Sequence, residues 1–259
     1  MLFNLDSFLS NPVQTLIIFL LAFPGRILAL SAHEFAHAWV AHRCGDDTAR
    51  MMGRLTLNPL KHLDPLGTVM MLLVGFGWAK PVPVNPRNYR DYRRDDLKVS
   101  LAGVTMNLIL FAVGLLSLAS WCAIGIAGAG ESWLGASIDG LVREYGFLSG
   151  ALTLLAYRFG EIPGYLAQML AYFTVTNLAL CVFNLLPVPP LDGYHVINDL
   201  LLKRSLFANP NTARIASTVL MVLVFTGAVG RVLGWVDDQV ITAAGNLAMA
   251  GIRALGLAG

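Results

Sequence analysis

Long apolar stretches separated by short polar segments dominate the chain. A membrane-spanning helix needs about 20 apolar residues in succession. Four stretches reach that length: residues 12–40, 97–126, 164–186 and 215–236. Two weaker segments rich in small residues, 148–157 and 240–257, fit either a crossing or an interfacial position. The pattern predicts an all-α polytopic membrane protein with about four to six transmembrane helices.

The basic residues predict how these spans are oriented. Ten of the eighteen lysines and arginines lie within residues 43–98, and the next basic pair is Lys203-Arg204. Residues 121–163 carry only two basic residues against four acidic ones. Since loops rich in Lys and Arg stay on the cytoplasmic side, we expect residues 43–98 inside, residues 121–163 outside, and the N-terminus outside.

A shorter apolar run, residues 66–78, has basic segments on both sides. It is too short to cross comfortably, so we expect it to dip into the membrane and return as a re-entrant loop or small β-hairpin. Irregular backbone at that depth is tolerated only against protein or a water-filled cavity. The sequence therefore predicts a cavity open to the cytoplasm.

Composition agrees with a membrane protein. Hydrophobic residues make up 56% of the 259 residues and charged residues only 13%, against about one quarter in soluble domains. The net charge of +2 does not indicate a nucleic-acid partner, and the three single cysteines indicate neither a disulfide framework nor a thiolate metal site. The first eleven residues lack the basic start of a cleavable secretory signal. Without a repeat or a low-complexity linker, we predict one domain over residues 1–259, with a core of 12–202 and a C-terminal part of 210–259.

The clearest chemical motif is HEFAH at residues 33–37, inside the first apolar stretch. Residues four apart share one face of a helix, so His33 and His37 can bind one metal ion. Zinc accepts such nitrogen ligands, and Glu34 is placed to take a proton from a metal-bound water. Ionisable groups within a membrane span are costly and are usually functional.

A third zinc ligand has to come from elsewhere in the chain. Asp192 is the best candidate, because it follows three prolines that end the stretch 164–186 on the predicted cytoplasmic side, and Gly193 gives the backbone room to turn. The alternative role for Asp192 is to cap the following helix. His195 is the rival ligand.

Three other polar residues receive different predictions. His42 and His62 lie among basic residues and are expected to be solvated or interfacial. Arg26 is two helical turns before His33 on the same face. It either points into the aqueous cavity, pairs with a carboxylate, or relieves its burial where Pro24 disrupts the helix.

These motifs together resemble the site-two proteases, zinc peptidases that cut within membranes, and in particular the compact prokaryotic branch without PDZ or CBS domains. The resemblance covers about residues 12–202. It rests on residues 32–38 (AHEFAHA), 76–86 (FGWAKPVPVNP), 100–107 (SLAGVTMN) and 184–193 (NLLPVPPLDG). One departure is Val104, where many members have proline.

The resemblance implies a role for each matching residue. His33, His37 and Asp192 would bind one Zn²⁺ per chain, and Glu34 would be the general base. Asn184 would hold the substrate backbone or the developing oxyanion. The partner would be a membrane segment of another protein, which must unwind before cleavage. Residues 50–57 and 74–84 are our candidates for a strand edge that an extended substrate joins.

The sequence therefore predicts a zinc-dependent intramembrane endopeptidase, multi-pass in the cell (plasma or inner) membrane, with its active site toward the cytoplasm. The alternative is a metal-binding membrane protein that does not hydrolyse, such as a transporter or a protein that recognises membrane segments. Intact Glu34 argues against that alternative, because a pure ligand site would not require it. The sequence leaves the oligomeric state and the substrate open.

Overall fold

The computed structural model describes residues 10–74, 77–127, 142, 146–202, 206–207 and 209–256, with backbone alone for 72–74. Nine α-helices occur in this part of the chain. They are α1 (Pro12–Cys44), α2 (Thr48–Met51), α3 (Pro65–Val74), α4 (Tyr92–Ala127), α5 (Phe147–Phe159), α6 (Glu161–Asn184), α7 (Asp192–Ile197), α8 (Pro210–Phe225) and α9 (Ala228–Ala254). The predicted all-α polytopic class is confirmed.

Helix α1 carries the HEFAH motif, and its ends follow from local sequence. The Asn11 side chain accepts a hydrogen bond from the Gln14 N–H, and Pro12 occupies the first turn, where its missing N–H costs nothing. The helix continues through Pro24, as expected. It ends at Gly45, whose φ of +107° is a left-handed conformation that favours glycine.

Helices α1, α4 and α6 pack against one another and form the centre of the molecule. Each is long and apolar enough to cross a membrane. A large apolar core forms where α4 and α6 meet α5 and α9, around the fully buried Leu118, Leu155 and Ala167. This arrangement holds the N-terminal half of α4 against the HEFAH face of α1.

The short helix α3 does not cross a membrane. Its ten residues span about 15 Å, half of the roughly 30 Å hydrocarbon core. The backbone returns to its starting point, since Leu63 and Ala79 form an antiparallel bridge and the Lys80 N–H donates to the His62 carbonyl at 2.7 Å. The two ends of the segment thus lie side by side, and residues 75–76 lie outside the described residues.

The predicted β-hairpin is not confirmed. Within the described ranges no strand is formed, and the Leu63–Ala79 bridge stands alone. The two candidate edge segments contact each other through a side chain. Arg54, in residues 50–57, donates hydrogen bonds to the carbonyl oxygens of Lys80 and Pro81, in residues 74–84. Side-chain bonds therefore take up backbone groups that a strand edge would leave free.

The predicted span 215–236 is broken into two helices. Helix α8 ends at Phe225 and α9 begins at Ala228, with an angle of 72° between them. Gly227 at the break has a φ of +76°, which a continuing right-handed helix cannot contain. Taken as one bent unit, α8 and α9 meet the length and composition of a fourth span. Within the weak segment 240–257, residues 240–254 continue α9.

Candidate metal centre and active site

The structure places the two histidines of HEFAH side by side on α1. His33 Nε2 and His37 Nε2 are 3.0 Å apart. This is the geometry that a four-residue spacing gives on one helical face. His33 is 5% exposed, so its imidazole lies inside the bundle.

Asp192 is far from both histidines in the sequence but lies next to them in the structure. Its Oδ2 atom lies 3.4 Å from His33 Nε2 and 3.3 Å from His37 Nε2. Helix α6 ends at Asn184, and α7 begins at Asp192 itself, with Leu191 in the cap position. A Cβ at Gly193 would lie 2.2 Å from the Leu185 carbonyl oxygen. The turn therefore needs glycine, and the Asp192 side chain faces the histidines rather than capping α7.

The other ring nitrogens are held by acceptors from α4. His33 Nδ1 is 2.6 Å from Asn107 Oδ1, and His37 Nδ1 is 2.7 Å from the Val99 carbonyl oxygen. A carbonyl oxygen only accepts hydrogen bonds, so both Nδ1 atoms carry protons and donate them. In the neutral rings both Nε2 lone pairs then face each other and the Asp192 carboxylate.

This donor set fits a zinc ion. Three lone-pair atoms facing one another repel unless a cation lies between them, and Asp192 Oδ2 is buried without a hydrogen-bond partner among the described residues. Ligands about 2.0–2.2 Å from zinc in a tetrahedron lie about 3.3 Å from one another. The observed separations are 3.0, 3.3 and 3.4 Å. Three protein ligands leave the fourth position for water.

Helix α4 can lie this close to the two histidine rings of α1 because residue 103 is glycine. A Cβ there would lie 2.4 Å from His37 Nε2 and 2.5 Å from His33 Cε1, closer than any non-bonded contact permits. Hydrogen alone at position 103 leaves room for the two rings and for an ion between them.

Asn107 is itself fixed by a second buried amide. Its Nδ2 donates to Asn177 Oδ1 at 2.8 Å, and Asn177 Nδ2 donates to the Phe173 carbonyl oxygen at 2.8 Å. Both asparagines are fully buried. The chain from α6 through α4 to His33 orients the imidazole, as partners behind a metal ligand usually do.

Glu34 is tied to the segment that follows the re-entrant loop. Its Oε2 atom accepts a hydrogen bond from the Val82 N–H at 2.8 Å. The carboxylate is thereby held beside the histidines, with its other oxygen unconstrained by this bond. A fixed acceptor next to the metal ligands suits proton transfer.

The structure does not bring every predicted residue into the cluster. Asn184 Nδ2 donates to the Leu180 carbonyl oxygen of its own helix at 3.0 Å, so its role stays a prediction. His195 Nδ1 is paired with Asp96 Oδ2 at 3.1 Å, and this hydrogen bond raises the pKa of His195. The three-residue cluster contains Asp192 and not the rival His195.

The two remaining histidines differ from each other. His42 is partly exposed and pairs with Asp47 at 2.6 Å, consistent with an interfacial position. The prediction of a solvated or interfacial His62 is wrong. It is fully buried, because its Nε2 atom bonds the Thr56 carbonyl oxygen at 2.7 Å and holds the loop before α3.

Comparison with known proteins agrees with this geometry. The model of Peptidase family M50 matches residues 19–227, a range that contains every residue of the cluster. The chain belongs to peptidase family M50. The resemblance to the site-two proteases is thereby confirmed.

Individual M50 relatives carry metalloprotease names. "Putative zinc metalloprotease YwhC" of Bacillus subtilis is 42% identical over 174 residues, which are 67% of this chain and 66% of that protein. "Putative zinc metalloprotease Rip2" of Mycolicibacterium smegmatis is 30% identical over 233 residues, 85% of this chain and 73% of that protein. The Mycobacterium tuberculosis protein of the same name is 31% identical over 183 residues and is matched over 56% of its length. No solved structure matches the chain.

Proposed function

We propose that this M50 chain is a zinc-dependent intramembrane endopeptidase. The observation that carries the proposal is the triangle of His33, His37 and Asp192. Its two histidines and Glu34 lie on α1, a helix long and apolar enough to cross a membrane. The M50 membership and the metalloprotease names of the relatives support hydrolysis. The position of His33 and His37 on this helix supports action on membrane segments.

In this proposal His33, His37 and Asp192 hold one zinc ion per chain. A bound zinc ion polarises a carbonyl and lowers the pKa of its water to about 7. Glu34 takes the proton of the attacking water and delivers it to the leaving amine. The Val82 N–H keeps the Glu34 carboxylate in place. One N–H of the Asn184 amide binds Leu180, and the second is available to the substrate carbonyl or oxyanion.

The position along α1 supports cleavage close to one membrane face. His37 is seven residues before the helix end at Cys44, or about 10 Å at the helical rise. The basic residues that follow Cys44 support a cytoplasmic position for this end, because Lys- and Arg-rich loops stay inside. We therefore propose the plasma or inner membrane as the location, with the active site toward the cytoplasm.

The substrate is a membrane segment in an extended form. A helix buries its carbonyls in its own hydrogen bonds, so the scissile bond has to leave the helix before water can attack it. Val82 lies next to Glu34, so an extended segment that reaches Glu34 would pass beside it. Cleavage within a chain rather than from its end follows, because a membrane segment presents no free terminus at that depth.

The test is cleavage of a labelled membrane peptide by purified, zinc-loaded wild type and Glu34→Gln. Glutamine keeps an oxygen that accepts from the Val82 N–H but cannot take a proton, so the fold is preserved. We expect internal cleavage by wild type and at least a 100-fold lower rate for Glu34→Gln, about the contribution of a general base. Equal cleavage by both proteins contradicts the mechanism. Zinc binding without cleavage by wild type supports the non-hydrolytic alternative.

A further inference from the structure

A cavity of about 400 Å³ lies between α1, α6, the re-entrant segment and the bend between α8 and α9. Its lining is mostly apolar, with Leu30, Met71, Phe183 and Leu233 among the side chains. Two residues of opposite charge, Arg26 and Asp237, also line it. We call it the Arg26–Asp237 cavity.

Both charged residues are buried and incompletely satisfied. Arg26 is 8% exposed and Asp237 is 7% exposed. Arg26 Nη1 and Asp237 Oδ1 have no hydrogen-bond partner among the described residues. A buried polar atom left without a partner costs about 1–3 kcal/mol, and more when it is charged. Two such residues on the wall of one cavity indicate that the cavity receives a polar group.

The cavity is lined by elements that also carry residues of the proposed active site. Arg26 and Leu30 lie on the same face of α1 as His33 and His37, with Arg26 seven residues before His33, or about 10 Å along the helix. The wall residue Leu180 carries the carbonyl that binds Asn184. The wall residue Gly77 is followed five residues later by Val82, whose N–H donates to Glu34. Each of these walls therefore continues into a residue of the proposed active site.

The size and chemistry of the cavity indicate what kind of group it can bind. One full turn of a helix with its side chains, about 10–12 Å wide and 5.4 Å long, fills about 400–600 Å³, so the cavity admits a short segment and no whole membrane helix. An unwound peptide exposes both carbonyl oxygens and N–H groups. A guanidinium donates to the first and a carboxylate accepts from the second. The apolar walls suit the side chains of a membrane segment.

We infer that the Arg26–Asp237 cavity binds the unwound main chain of a membrane substrate, about 10 Å deeper in the bilayer than the metal centre. Arg26 binds an exposed carbonyl oxygen and Asp237 an exposed N–H. The inference rests on the proposed function, because it assigns to these residues the stabilisation of the non-helical substrate that cleavage needs. It adds a recognition rule, since segments that unwind easily bind more tightly than stable helices.

The test measures peptide binding without cleavage, using zinc-loaded Glu34→Gln protein in lipid nanodiscs. The probe is a fluorescent peptide with a 20-residue Leu/Ala segment, Lys flanks and a central Asn-Gly pair that weakens the helix. A second peptide has Leu-Leu in place of Asn-Gly. Arg26→Met and Asp237→Asn are compared with Arg231→Met and Asp238→Asn, two matched changes at exposed positions on α9.

We expect Arg26→Met to raise the Kd of the Asn-Gly peptide about tenfold, the effect of losing one hydrogen bond to a charged group. Asp237→Asn keeps an acceptor but loses its charge, so it should raise the Kd about fivefold. The control variants and the Leu-Leu peptide should show little change. A Kd that responds no more to the cavity variants than to the controls overturns the inference. So does a parallel fall in zinc content and thermal stability, which would show a structural role.

Crosslinking places the peptide directly. With a mild oxidant added to take up the two electrons, a cysteine at the lining position Leu233 should form a disulfide with a cysteine at the peptide centre. Val232→Cys, on the exposed face of α9, should not. Equal crosslinking at both positions contradicts the inference. Because binding is read in the Glu34→Gln protein, the result stands whether or not wild type cleaves the peptide. Absence of wild-type cleavage counts against the proposed function alone.

Discussion

The Asn107 Oδ1 atom accepts a hydrogen bond from His33 Nδ1 at 2.6 Å. This contact joins α4 to the face of α1 that carries His33 and His37, and it fixes the proton of His33 on the nitrogen that faces away from the Asp192 carboxylate. The amide of Asn107 cannot rotate, because its Nδ2 is bonded to Asn177. The ligand geometry thus depends on residues that do not bind the metal.

Removal of this contact should weaken metal binding. We expect Asn107→Ala to lower zinc affinity about 10–100-fold, the usual cost of losing a partner behind a metal ligand. Asn107→Asp, which keeps an acceptor, should lose less. Competition with a chelator measures the affinity. Ser117→Ala is the control on the same helix, since Ser117 bonds only the Val113 carbonyl. Equal affinities for Asn107→Ala and Ser117→Ala would refute the role of Asn107.

A methyl group at position 103 should damage the site more than the fold. In Gly103→Ala the new Cβ meets both histidine rings, so we expect zinc loss and at least a 100-fold fall in peptide cleavage, as a displacement of about 1 Å can produce. Gly251→Ala in α9 is the control, because no atom lies within 4 Å of its added Cβ. Wild-type zinc content and activity in Gly103→Ala would show that α4 does not approach the site this closely.

The local part of the site could be predicted from the sequence, and the long-range part only to a limited degree. Helical spacing predicts that His33 and His37 bind one metal ion. The predicted orientation of the spans puts Asp192 on the same side of the membrane. Asn107 and Gly103 lie in the motif at residues 100–107 on which the resemblance rests, but the motif alone assigns them no role. A membrane helix such as α4 is apolar on all sides, so its hydrophobic pattern does not reveal which face meets α1.

The same reasoning explains the errors in the fold. The apolar stretch 215–236 gives no sign of the break, which depends on one left-handed glycine, Gly227. His62 was expected near water because its sequence neighbours are polar, but burial depends on the tertiary bond to Thr56. The hairpin was expected near the site, where side-chain bonds from Glu34 and Arg54 now hold the backbone of residues 80–82.

The loop after α1 should lose stability in acid. Asp46 is fully buried. Burial alone would raise its pKa, but the hydrogen bonds from Thr48, Asn85 and Asn88 outweigh burial and hold the pKa below its ordinary value of 3.8. A lowered carboxyl pKa stabilises the fold fully above the ordinary value, and this contribution is lost as the pH falls through the folded-state value.

Thermal unfolding of wild type and Asp46→Asn checks this dependence. At neutral pH Asp46→Asn should lose about 2–3 kcal/mol, because it weakens several hydrogen bonds to a buried charge. As the pH falls below about 5 and through the folded-state pKa of Asp46, the wild type should progressively lose its advantage. A constant difference in unfolding temperature across that range would mean that ionised Asp46 contributes nothing.

The proposed orientation can be tested with single added cysteines. The three native cysteines are buried, so background labelling should be low. Arg87 and Glu161 are both exposed, on opposite sides of the proposed membrane. A membrane-impermeant maleimide applied to intact cells should label Glu161→Cys, and Arg87→Cys only after lysis. The reverse pattern would place the active site on the outer side.

The zinc content of purified protein tests the central claim most directly. Wild type and His195→Ala should each hold about one zinc per chain, since His195 is paired with Asp96. Asp192→Ala should lose the ion, because Asp192 supplies the third corner of the triangle with His33 and His37. Full zinc occupancy in Asp192→Ala, together with loss of zinc in His195→Ala, would contradict the account.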